Sequence, residues 1–365
     1  MKFTCSRRNL QDATNSVIKA VSTNPVMPVL SNIYLKVKDN QIILRAYDNE
    51  IGIESTKNAE VYQEGEILVN ARLFSDIIRT LGDEEVEINT ENNNLVILSG
   101  NAVFKIRWLP VDSFPPIPVV DKGNRVQINS EFLKNMIRNT LFSVSSNEQR
   151  LILTGALFES QENCFKMVTL DSFRMSIRKE YILGNKEEFK FVIPGKTLSE
   201  LLKLLTKDDL EINIYYEKTQ VLFEFDNLRY VSKLLEGEYF NYSAIIPSDF
   251  ITTVEFNVEA FKEIVERNML VSEAGKKAPI VLNIKDNLLT SSTVGESGNV
   301  TETLVVKKEG RDINIGFNAR YLLDSIKAVE DEVAKICFVG ETSACIITPL
   351  KSDEYLYLLL PVKIA

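Results

Sequence analysis

The chain has 365 residues, of which 45% are hydrophobic and 25% charged, and its formal net charge is −9. This length exceeds one ordinary core and suits two or three domains, while the acidic balance argues against a generally basic surface for nucleic acid. Histidine is absent, which excludes Ser-His-Asp and Cys-His catalysis as well as histidine-ligated zinc. The sequence contains no GxGxxG loop and no P-loop, so we predict no nucleotide site.

The cysteines and the N-terminus bear on the cellular compartment. Cys5, Cys164, Cys337 and Cys345 form no CxxC pair, so we expect buried thiols and neither a metal nor another cofactor. No apolar run approaches the roughly 18 residues of a membrane span. The N-terminal octapeptide also lacks the apolar centre of a signal peptide. These features predict a cytoplasmic protein that does not bind a membrane.

The predicted elements repeat three times along the chain. The opening strands contain Phe3, residues 126–128 and residues 254–256, and helices follow near residues 10–17, 132–137 and 261–265. A second strand–helix pair begins at residues 67–69, 189–193 and 313–317. Its helices carry apolar residues three and four positions apart, which predicts one buried stripe on each: Phe74, Ile78 and Leu81; Leu198, Leu202 and Leu205; Leu322, Ile326 and Val329.

The repeat is also visible residue by residue. Asn70-Ala71-Arg72 recurs as Asn318-Ala319-Arg320, and Pro194-Gly195-Lys196 lies midway between them. Polar or Pro-rich breaks at residues 112–123 and 246–249 separate the copies. The sequence therefore predicts an α+β fold of three domains, 1–121, 126–247 and 251–365, each with two helices on a mainly antiparallel sheet. We expect strands at domain edges to pair with neighbouring domains, because open edges invite aggregation.

Basic residues recur at equivalent helix positions, which is unexpected in an acidic chain. They are Arg72 and Arg79, Lys196 and Lys203, and Arg320 and Lys327, to which the opening helices add Lys134, Arg138, Lys262 and Arg267. Two interpretations are open. Asp76, Glu200 and Asp324 on the same helices could form surface ion pairs with them. Alternatively, the helices present a positive surface to a polyanion, contacting phosphates without reading sequence because no aromatic stacking platform accompanies them.

Several short motifs together resemble one known family. They are Met1-Lys2-Phe3-Thr4, Pro28-Val29-Leu30-Ser31-Asn32, Leu109-Pro110 with Phe114-Pro115, Ser232-Lys233-Leu234-Leu235-Glu236-Gly237, and Ile315-Gly316-Phe317-Asn318. Over essentially its whole length the chain resembles the beta subunits of bacterial DNA polymerase III, the beta sliding clamps. The resemblance implies a head-to-tail homodimer whose six domains form a ring, with helices and their basic residues facing double-stranded DNA in the hole. It also implies an interface of Phe104 and Ile106 with Leu270 and Val271.

The resemblance further implies a peptide pocket between the second and third domains. There the replicative polymerase, the clamp loader and other clamp-binding proteins would dock through a short motif rich in Gln, Leu and Phe. The matched positions are Leu153, Leu170, Ser172, Phe173, Arg174, Met175, Phe240, Ala244, Ile245, Asn318, Tyr321, Ser343, Cys345, Leu359, Leu360, Pro361, Val362 and Lys363. The resemblance thus implies a DNA sliding clamp that tethers the polymerase for processive synthesis and has no catalytic residue of its own.

The predicted pocket departs from the family pattern at three places. The family often has Thr-Asp-Gly-His-Arg where this chain has residues 170–174, including Phe173. It often has Pro where Phe240 stands and a basic residue where Ala244 stands. We also expect residues 358–360 to form a strand that Pro361 ends, leaving residues 362–365 free to form a groove wall in which Arg174 and Asn318 bond the peptide.

Two alternative functions follow from the same features. The first is a carboxylate- or lysine-dependent enzyme of repeated α+β domains, which would need acidic residues converging in a cleft. The second is a structural scaffold of several domains that does not bind DNA. A ring requires a dimer, so the native mass distinguishes the clamp from both alternatives.

Overall fold

A computed structural model gives the structure of the protein and describes residues 1–22, 24–82, 84–182, 188–273, 278–296 and 298–364. The α-helices in these ranges are α1 Arg7–Val17, α2 Ala71–Thr80, α3 Ser130–Arg138, α4 Gly195–Leu204, α5 Val258–Glu273 and α6 Ala319–Lys327. Short 3-10 helices lie at Ile18–Ala20, Pro28–Ser31, Leu141–Ser143, Glu148–Thr154 and Tyr242–Ile245. Among the described residues, no helix is long and apolar enough to cross a membrane.

The strands of the same ranges pair in an antiparallel manner. They are β1 Lys2–Ser6, β2 Asn32–Lys38, β3 Gln41–Tyr47, β4 Ile51–Asn58, β5 Glu60–Gln63, β6 Gly65–Asn70, β7 Glu85–Glu91, β8 Asn94–Ser99, β9 Ala102–Leu109, β10 Arg125–Asn129, β11 Gly155–Gln161, β12 Cys164–Leu170, β13 Arg174–Tyr181, β14 Phe189–Pro194, β15 Glu211–Tyr216, β16 Gln220–Phe225, β17 Leu228–Lys233, β18 Thr252–Asn257, β19 Ile280–Lys285, β20 Leu288–Gly295, β21 Gly298–Val305, β22 Lys307–Gly310, β23 Ile313–Phe317, β24 Val333–Phe338, β25 Cys345–Pro349 and β26 Tyr355–Leu359. This combination confirms the predicted α+β class with mainly antiparallel sheets.

Contacts divide the chain into two compact units, and one of them contains residues 1–131 and 200–234. Its thirteen-stranded sheet has the order β10-β15-β16-β17-β4-β3-β2-β6-β9-β8-β7-β1-β5. The sheet is continuous because β17 of the middle third pairs with β4 of the first third, from Leu228 opposite Ser55 to Ser232 opposite Ile51. The predicted pairing of edge strands with a neighbouring domain is confirmed here.

The second unit contains residues 132–199 and 235–365. It holds a nine-stranded sheet, β14-β11-β12-β13-β26-β25-β24-β18-β22, and a four-stranded sheet, β21-β20-β19-β23. Here β13 of the middle third pairs with β26 of the last third, from Arg174 opposite Leu359 to Arg178 opposite Tyr355. Each unit takes strands from the middle third, so the boundaries 1–121, 126–247 and 251–365 stay a prediction.

The repeated second helices start alike and bury matching residues. Phe74, Leu198 and Leu322 are fully buried, and each such side chain stabilises the fold by about 1.5–3 kcal/mol. The side chain of Asn70 accepts a hydrogen bond from Leu73 N at 3.0 Å and so caps α2. Asn318 caps α6 in the same way, accepting from Tyr321 N at 3.3 Å. In the middle copy the matching residue, Pro194, has no side-chain acceptor, so that helix starts without this bond.

The cap of α2 generates a stability prediction. Asn70→Ala removes the side-chain acceptor and should lower the free energy of unfolding by about 1 kcal/mol, measured by urea denaturation. Asn101→Ala, which changes an exposed asparagine in the turn between β8 and β9, should change it by less than about 0.5 kcal/mol. Equal losses in the two variants would show that the Asn70 cap contributes nothing specific.

Candidate functional site

The six basic residues of the repeated second helices are all exposed, as predicted. They are Arg72 and Arg79 on α2, Lys196 and Lys203 on α4, and Arg320 and Lys327 on α6. On the opening helices, Arg138 and Arg267 are exposed and Lys262 is partly exposed. A surface that contacts phosphates needs exposed cations, and nine of the ten predicted residues meet this requirement.

The prediction that Lys134 lies on such a surface is wrong. Its side chain is buried, with the residue only 5% exposed. The cause is its place on α3, between the fully buried Leu133 and Ile137, which puts it on the apolar side of a nine-residue helix. Arg138, on the last turn of the same helix, is exposed and keeps the predicted position.

Several of these basic side chains form ion pairs with carboxylates. The pairs, with N–O distances of 2.6–2.8 Å, are Arg79–Asp76, Lys203–Glu200, Lys262–Glu259, Arg267–Glu302 and Lys327–Glu266. Exposed pairs of this kind stabilise a protein by about 0–1 kcal/mol, so a phosphate can replace the carboxylate at little cost. The ion-pair interpretation is therefore correct for Asp76 and Glu200 and leaves the phosphate interpretation open. Asp324 behaves differently, because it binds Arg174.

The structure adds basic residues that the sequence pattern missed. In the first unit, Lys203 lines a cleft of about 460 Å³ together with Arg8, Lys19, Lys57 and Lys207. Lys19 Nζ donates to the backbone carbonyl of Asn15 at 2.8 Å. Partial burial lowers the pKa of Lys19, and the nearby charge of Lys203 lowers it further against the effect of Glu200. The repeat gave no signal for these residues, because the opening helices α3 and α5 carry their basic residues elsewhere.

The predicted peptide-pocket residues lie in the second unit, and five of them are buried. Leu153, Leu170 and Met175 join a hydrophobic cluster with Tyr239 and Leu358. Cys345 and Leu359 belong to the core of the last third. The side chains of these five residues are buried in the chain, and their place in a peptide pocket stays a prediction.

The remaining predicted residues are accessible. Ser172, Phe173, Phe240, Ala244, Ile245, Leu360 and Lys363 are exposed, and Arg174, Asn318, Tyr321, Ser343, Pro361 and Val362 are partly exposed. Phe173 and Tyr321 stack with ring centroids 6.1 Å apart and an interplanar angle of 28°. The structure therefore brings at least this part of the predicted pocket together, from residues far apart in the sequence.

Arg174 is held from several sides. Its Nε and Nη1 donate to Asp171 Oδ2 at 3.2 Å and to Asp324 Oδ2 at 2.7 Å. Its Nη2 donates to the backbone carbonyl of Phe142, and its guanidinium lies 4.2 Å from the centre of the Tyr321 ring. Charge-assisted bonds of this kind fix a side chain strongly. These three bonds use three of the five N–H groups of Arg174, so its expected role as a donor to a bound peptide stays a prediction.

The C-terminal segment makes backbone hydrogen bonds that the sequence does not predict. The last strand is β26, Tyr355–Leu359, rather than residues 358–360. Leu360 N donates to Phe173 O at 2.8 Å, and after Pro361 the Val362 N donates to Gly316 O at 2.8 Å. The expectation that the tail is free from residue 362 onward is thus wrong for Val362. The last residue of that predicted tail, Ala365, lies outside the described residues. A Cβ at Gly316 would meet Ile364 Cγ1 at 3.0 Å, so glycine lets the tail lie close to β23.

The predicted dimer residues lie beside open sheet edges. Leu270 on α5 is 72% exposed, Phe104 and Val271 are partly exposed, and Ile106 is already largely buried. Strand β9 pairs with β6 only through Leu109 and Trp108, so its residues 102–107 have a single neighbour, β8. Strand β21 is the outermost strand of the four-stranded sheet. In the described chain, each of these strands therefore leaves one row of backbone groups unpaired.

The side chains that could bind a metal ion are not grouped in the described ranges. No group of Cys, Asp and Glu there could hold a metal ion. All four cysteines are free and buried. Burial raises the pKa of Cys5 to about 11 and that of Cys345 further still, so neither thiol is an activated nucleophile.

Comparisons with known proteins agree along the whole chain. Residues 1–118, 127–241 and 243–363 match the N-terminal, central and C-terminal domains of the DNA polymerase III beta subunit. The beta sliding clamp of Bacillus subtilis is 32% identical over 376 residues, covering 100% of both chains. That of Halalkalibacterium halodurans is 33% identical over 380 residues, with the same coverage. The crystal structure of the DNA polymerase sliding clamp from Bacillus subtilis has a TM-score of 0.97 and 31% identity, covering 100% of both chains.

These matches assign each third of the chain to one domain of a three-domain clamp fold, and they explain the threefold repeat. The alternative of an enzyme has no support in them. The chain belongs to the DNA polymerase III beta subunit family, the family of the bacterial beta sliding clamps.

Proposed function

We propose that two copies of this chain form a ring that encircles duplex DNA in the cytoplasm and tethers the replicative polymerase for processive synthesis. The observation that supports this best is the recurrence of exposed basic residues at matching helix positions of an acidic, three-domain clamp. A ring holds DNA by enclosure, so tight binding is unnecessary. Local positive charge then keeps the duplex centred while the net charge of −9 limits non-specific adhesion.

The DNA-facing surface that we propose extends the predicted set. It keeps the nine accessible basic residues and excludes Lys134. It adds the cleft cations Arg8, Lys19, Lys57 and Lys207, which share one concave surface with Lys203. Phosphate contacts by lysine and arginine carry no sequence information, which suits a protein that slides over any sequence.

A six-residue charge reversal tests this surface. Changing Arg72, Arg79, Lys196, Lys203, Arg320 and Lys327 to Glu should reduce the amount loaded by the clamp loader onto nicked circular DNA by about tenfold or more, because each position would then repel phosphate. The unmodified protein should stay on circular DNA during gel filtration and leave after the DNA is linearised. Binding to linear duplex should be weak and should fall steeply with salt.

A matched variant controls for net charge. Reversing six exposed lysines outside the surface gives the same change in charge and should load normally: Lys38, Lys122, Lys190, Lys218, Lys285 and Lys351. Equal loading by both variants would show that the repeated cations form surface ion pairs only. Retention on linear DNA equal to that on circular DNA would contradict enclosure itself.

We propose that the ring closes by pairing β9 of one copy with β21 of the other. Exposed apolar residues mark both strands, Val103 on β9 and Val305 on β21, and Leu270 projects from α5 of the second unit. Such edges are normally covered, since they recruit other strands. A head-to-tail contact between two different surfaces closes when the second copy completes the circle.

Leu270→Asp tests the dimer. Leu270 is exposed in the single chain, so the variant should fold with an unchanged melting temperature. At the interface its carboxylate would be buried without a partner, which should weaken the dimer at least about 100-fold and give monomers by sedimentation. Leu151→Asp changes another exposed leucine of the same unit, 62% exposed, and should stay dimeric. A dimeric Leu270→Asp protein would remove this residue from the interface.

We propose that partner peptides of the polymerase, the clamp loader and other clamp-binding proteins dock beside the C-terminal segment. Support comes from the accessible residues Phe173, Tyr321 and Leu360, and from the buried apolar cluster in the same unit that contains Leu153, Leu170 and Met175. Burying two apolar peptide side chains contributes about 1.5–3 kcal/mol each. Ordering a flexible peptide offsets part of this gain, so we expect micromolar affinity.

Gly316→Val tests whether the tail forms part of the site. The added side chain would meet Ile364 and the carbonyl of Val362, so the tail should shift. Binding of a Gln- and Leu-rich polymerase peptide, measured by calorimetry, should weaken about tenfold while the dimer persists. Gly82→Val is the control, because a Cβ there meets nothing within 4 Å. Full affinity of Gly316→Val would place the binding site elsewhere.

A further inference from the structure

Two backbone ladders of equal length join neighbouring thirds of the chain. In the first unit, β4 of the first third pairs with β17 of the middle third, and the ladder ends with Ser55 opposite Leu228. In the second unit, β13 of the middle third pairs with β26 of the last third, and the matched end has Arg178 opposite Tyr355. We call these ladders the first junction and the second junction. Because their backbone pairing is alike, a difference in stiffness between them has to come from side chains.

A buried ion pair crosses the second junction. The side chain of Arg178 is only 6% exposed, and its Nη2 donates to Glu330 Oε2 at 2.9 Å. The other carboxylate oxygen, Glu330 Oε1, accepts from Asn139 Nδ2 at 2.8 Å. Asn139 follows α3 of the middle third, and Glu330 lies just after α6 of the last third. One carboxylate therefore joins the two thirds at two points.

The charge of Arg178 depends on this carboxylate. Arg178 Nε and Nη1 are buried and have no hydrogen-bond partner among the described residues. A small rotation of the last third against the middle third would separate Arg178 from Glu330 while the guanidinium stays buried, and an unpaired buried charge is strongly disfavoured. Lys179, the next residue of β13, adds a second ionic contact to the last third, 2.8 Å from Asp353 Oδ2. The second junction is therefore stiff.

Small side chains and a cleft occupy the matched positions of the first junction. Ser55 stands where the second junction has Arg178, and its buried hydroxyl has no hydrogen-bond partner in the part of the chain that the structure describes. Thr206 takes the place of Glu330 in the repeat. Thr206 and Leu228 both line the cleft of about 460 Å³. Open volume rather than close packing borders this ladder, so small rotations meet less resistance.

Two ion pairs that cross the first junction are longer and more exposed. Arg229 Nη1 lies 3.6 Å from Glu54 Oε1, and the arginine side chain is 36% exposed. Lys233 Nζ lies 3.4 Å from Glu50 Oε1, and the lysine side chain is 47% exposed. Exposed pairs of this kind contribute little, so they restrain the first junction only weakly.

We propose that the first junction is a hinge and the second is rigid: the first unit flexes between its thirds, whereas Arg178 and Glu330 hold the thirds of the second unit as one body. Flexing at the first junction changes the width of the cleft. The distance between Lys19 of the first third and Lys203 of the middle third, which both line the cleft, changes with it. The first unit can thereby adjust the spacing of its cations. This device lies within each unit and does not depend on the proposed ring.

Hydrogen–deuterium exchange of the full-length chain, followed by mass spectrometry, tests the proposal. In the unmodified protein, peptides that cover β4 and β17 should exchange about tenfold faster than those that cover β13 and β26, because flexing opens ladder hydrogen bonds. Arg178→Ser places the residue of the first junction in the second. It should speed exchange in β13 and β26 about tenfold and change β4 and β17 by less than about twofold. Glu330→Gln keeps the shape and removes the charge, and should speed β13 and β26 about threefold.

Arg229→Ser is the matched control, because it removes an arginine from the first junction. Its ion pair is exposed, so exchange in all four strands should change by less than about twofold. Equal exchange of the two junctions in the unmodified chain would overturn the proposal without any variant. If Arg178→Ser speeds exchange in every strand of both units, it has lost global stability, and Glu330→Gln decides. The proposal then fails if Glu330→Gln leaves the difference between the junctions unchanged.

Discussion

Backbone pairing between β13 and β26 is the interaction on which the proposed partner site depends. These hydrogen bonds join strands of the middle and last thirds into one sheet and set Arg174 opposite Leu359. With that register fixed, Leu360 N reaches the carbonyl of Phe173 and Val362 N reaches that of Gly316. A shift of one residue would turn every side chain of β26 to the other face, so the buried Tyr357 and Leu359 specify the register.

The repeat provides one scaffold that its three copies use differently. Asn70 and Asn318 cap matching helices, whereas Pro194 occupies the middle position. The acidic residue after each cap also changes its role. Asp76 and Glu200 pair with cations of their own helices, but Asp324 binds Arg174 of the middle third. In the third copy this position thus holds the arginine whose guanidinium lies 4.2 Å from the centre of the Tyr321 ring.

Charge in this protein has to be considered by location. The net charge of −9 describes the whole surface, while the cleft that contains Lys19 and Lys203 gathers cations from separate elements. Exposed ion pairs such as Lys327–Glu266 are weak and exchange readily. A surface of this kind attracts a polyanion but binds it weakly, and weak binding is what movement along DNA requires.

Periodic and local features were determined by the sequence itself. The spacing of apolar residues defined the second helices, and the recurrence of Asn-Ala-Arg defined the repeat, because both depend on residues within one or two turns. Motifs spread over the chain also indicated the family before any contact was known. Exposed Phe173 belongs to the same class, since its departure from the family pattern is visible in the sequence.

Tertiary structure alone decided which of these residues meet. Lys134 has the same charge as its exposed counterparts, yet the packing of α3 buries it. Arg174 and Asp324 are 150 residues apart in sequence and 2.7 Å apart in space. Val362 N in the C-terminal segment donates a hydrogen bond to the carbonyl of Gly316, and the local sequence around either residue does not encode this contact. The physical reason is common to all three: burial and long-range hydrogen bonds depend on how distant segments pack, whereas helix periodicity and capping depend on near neighbours.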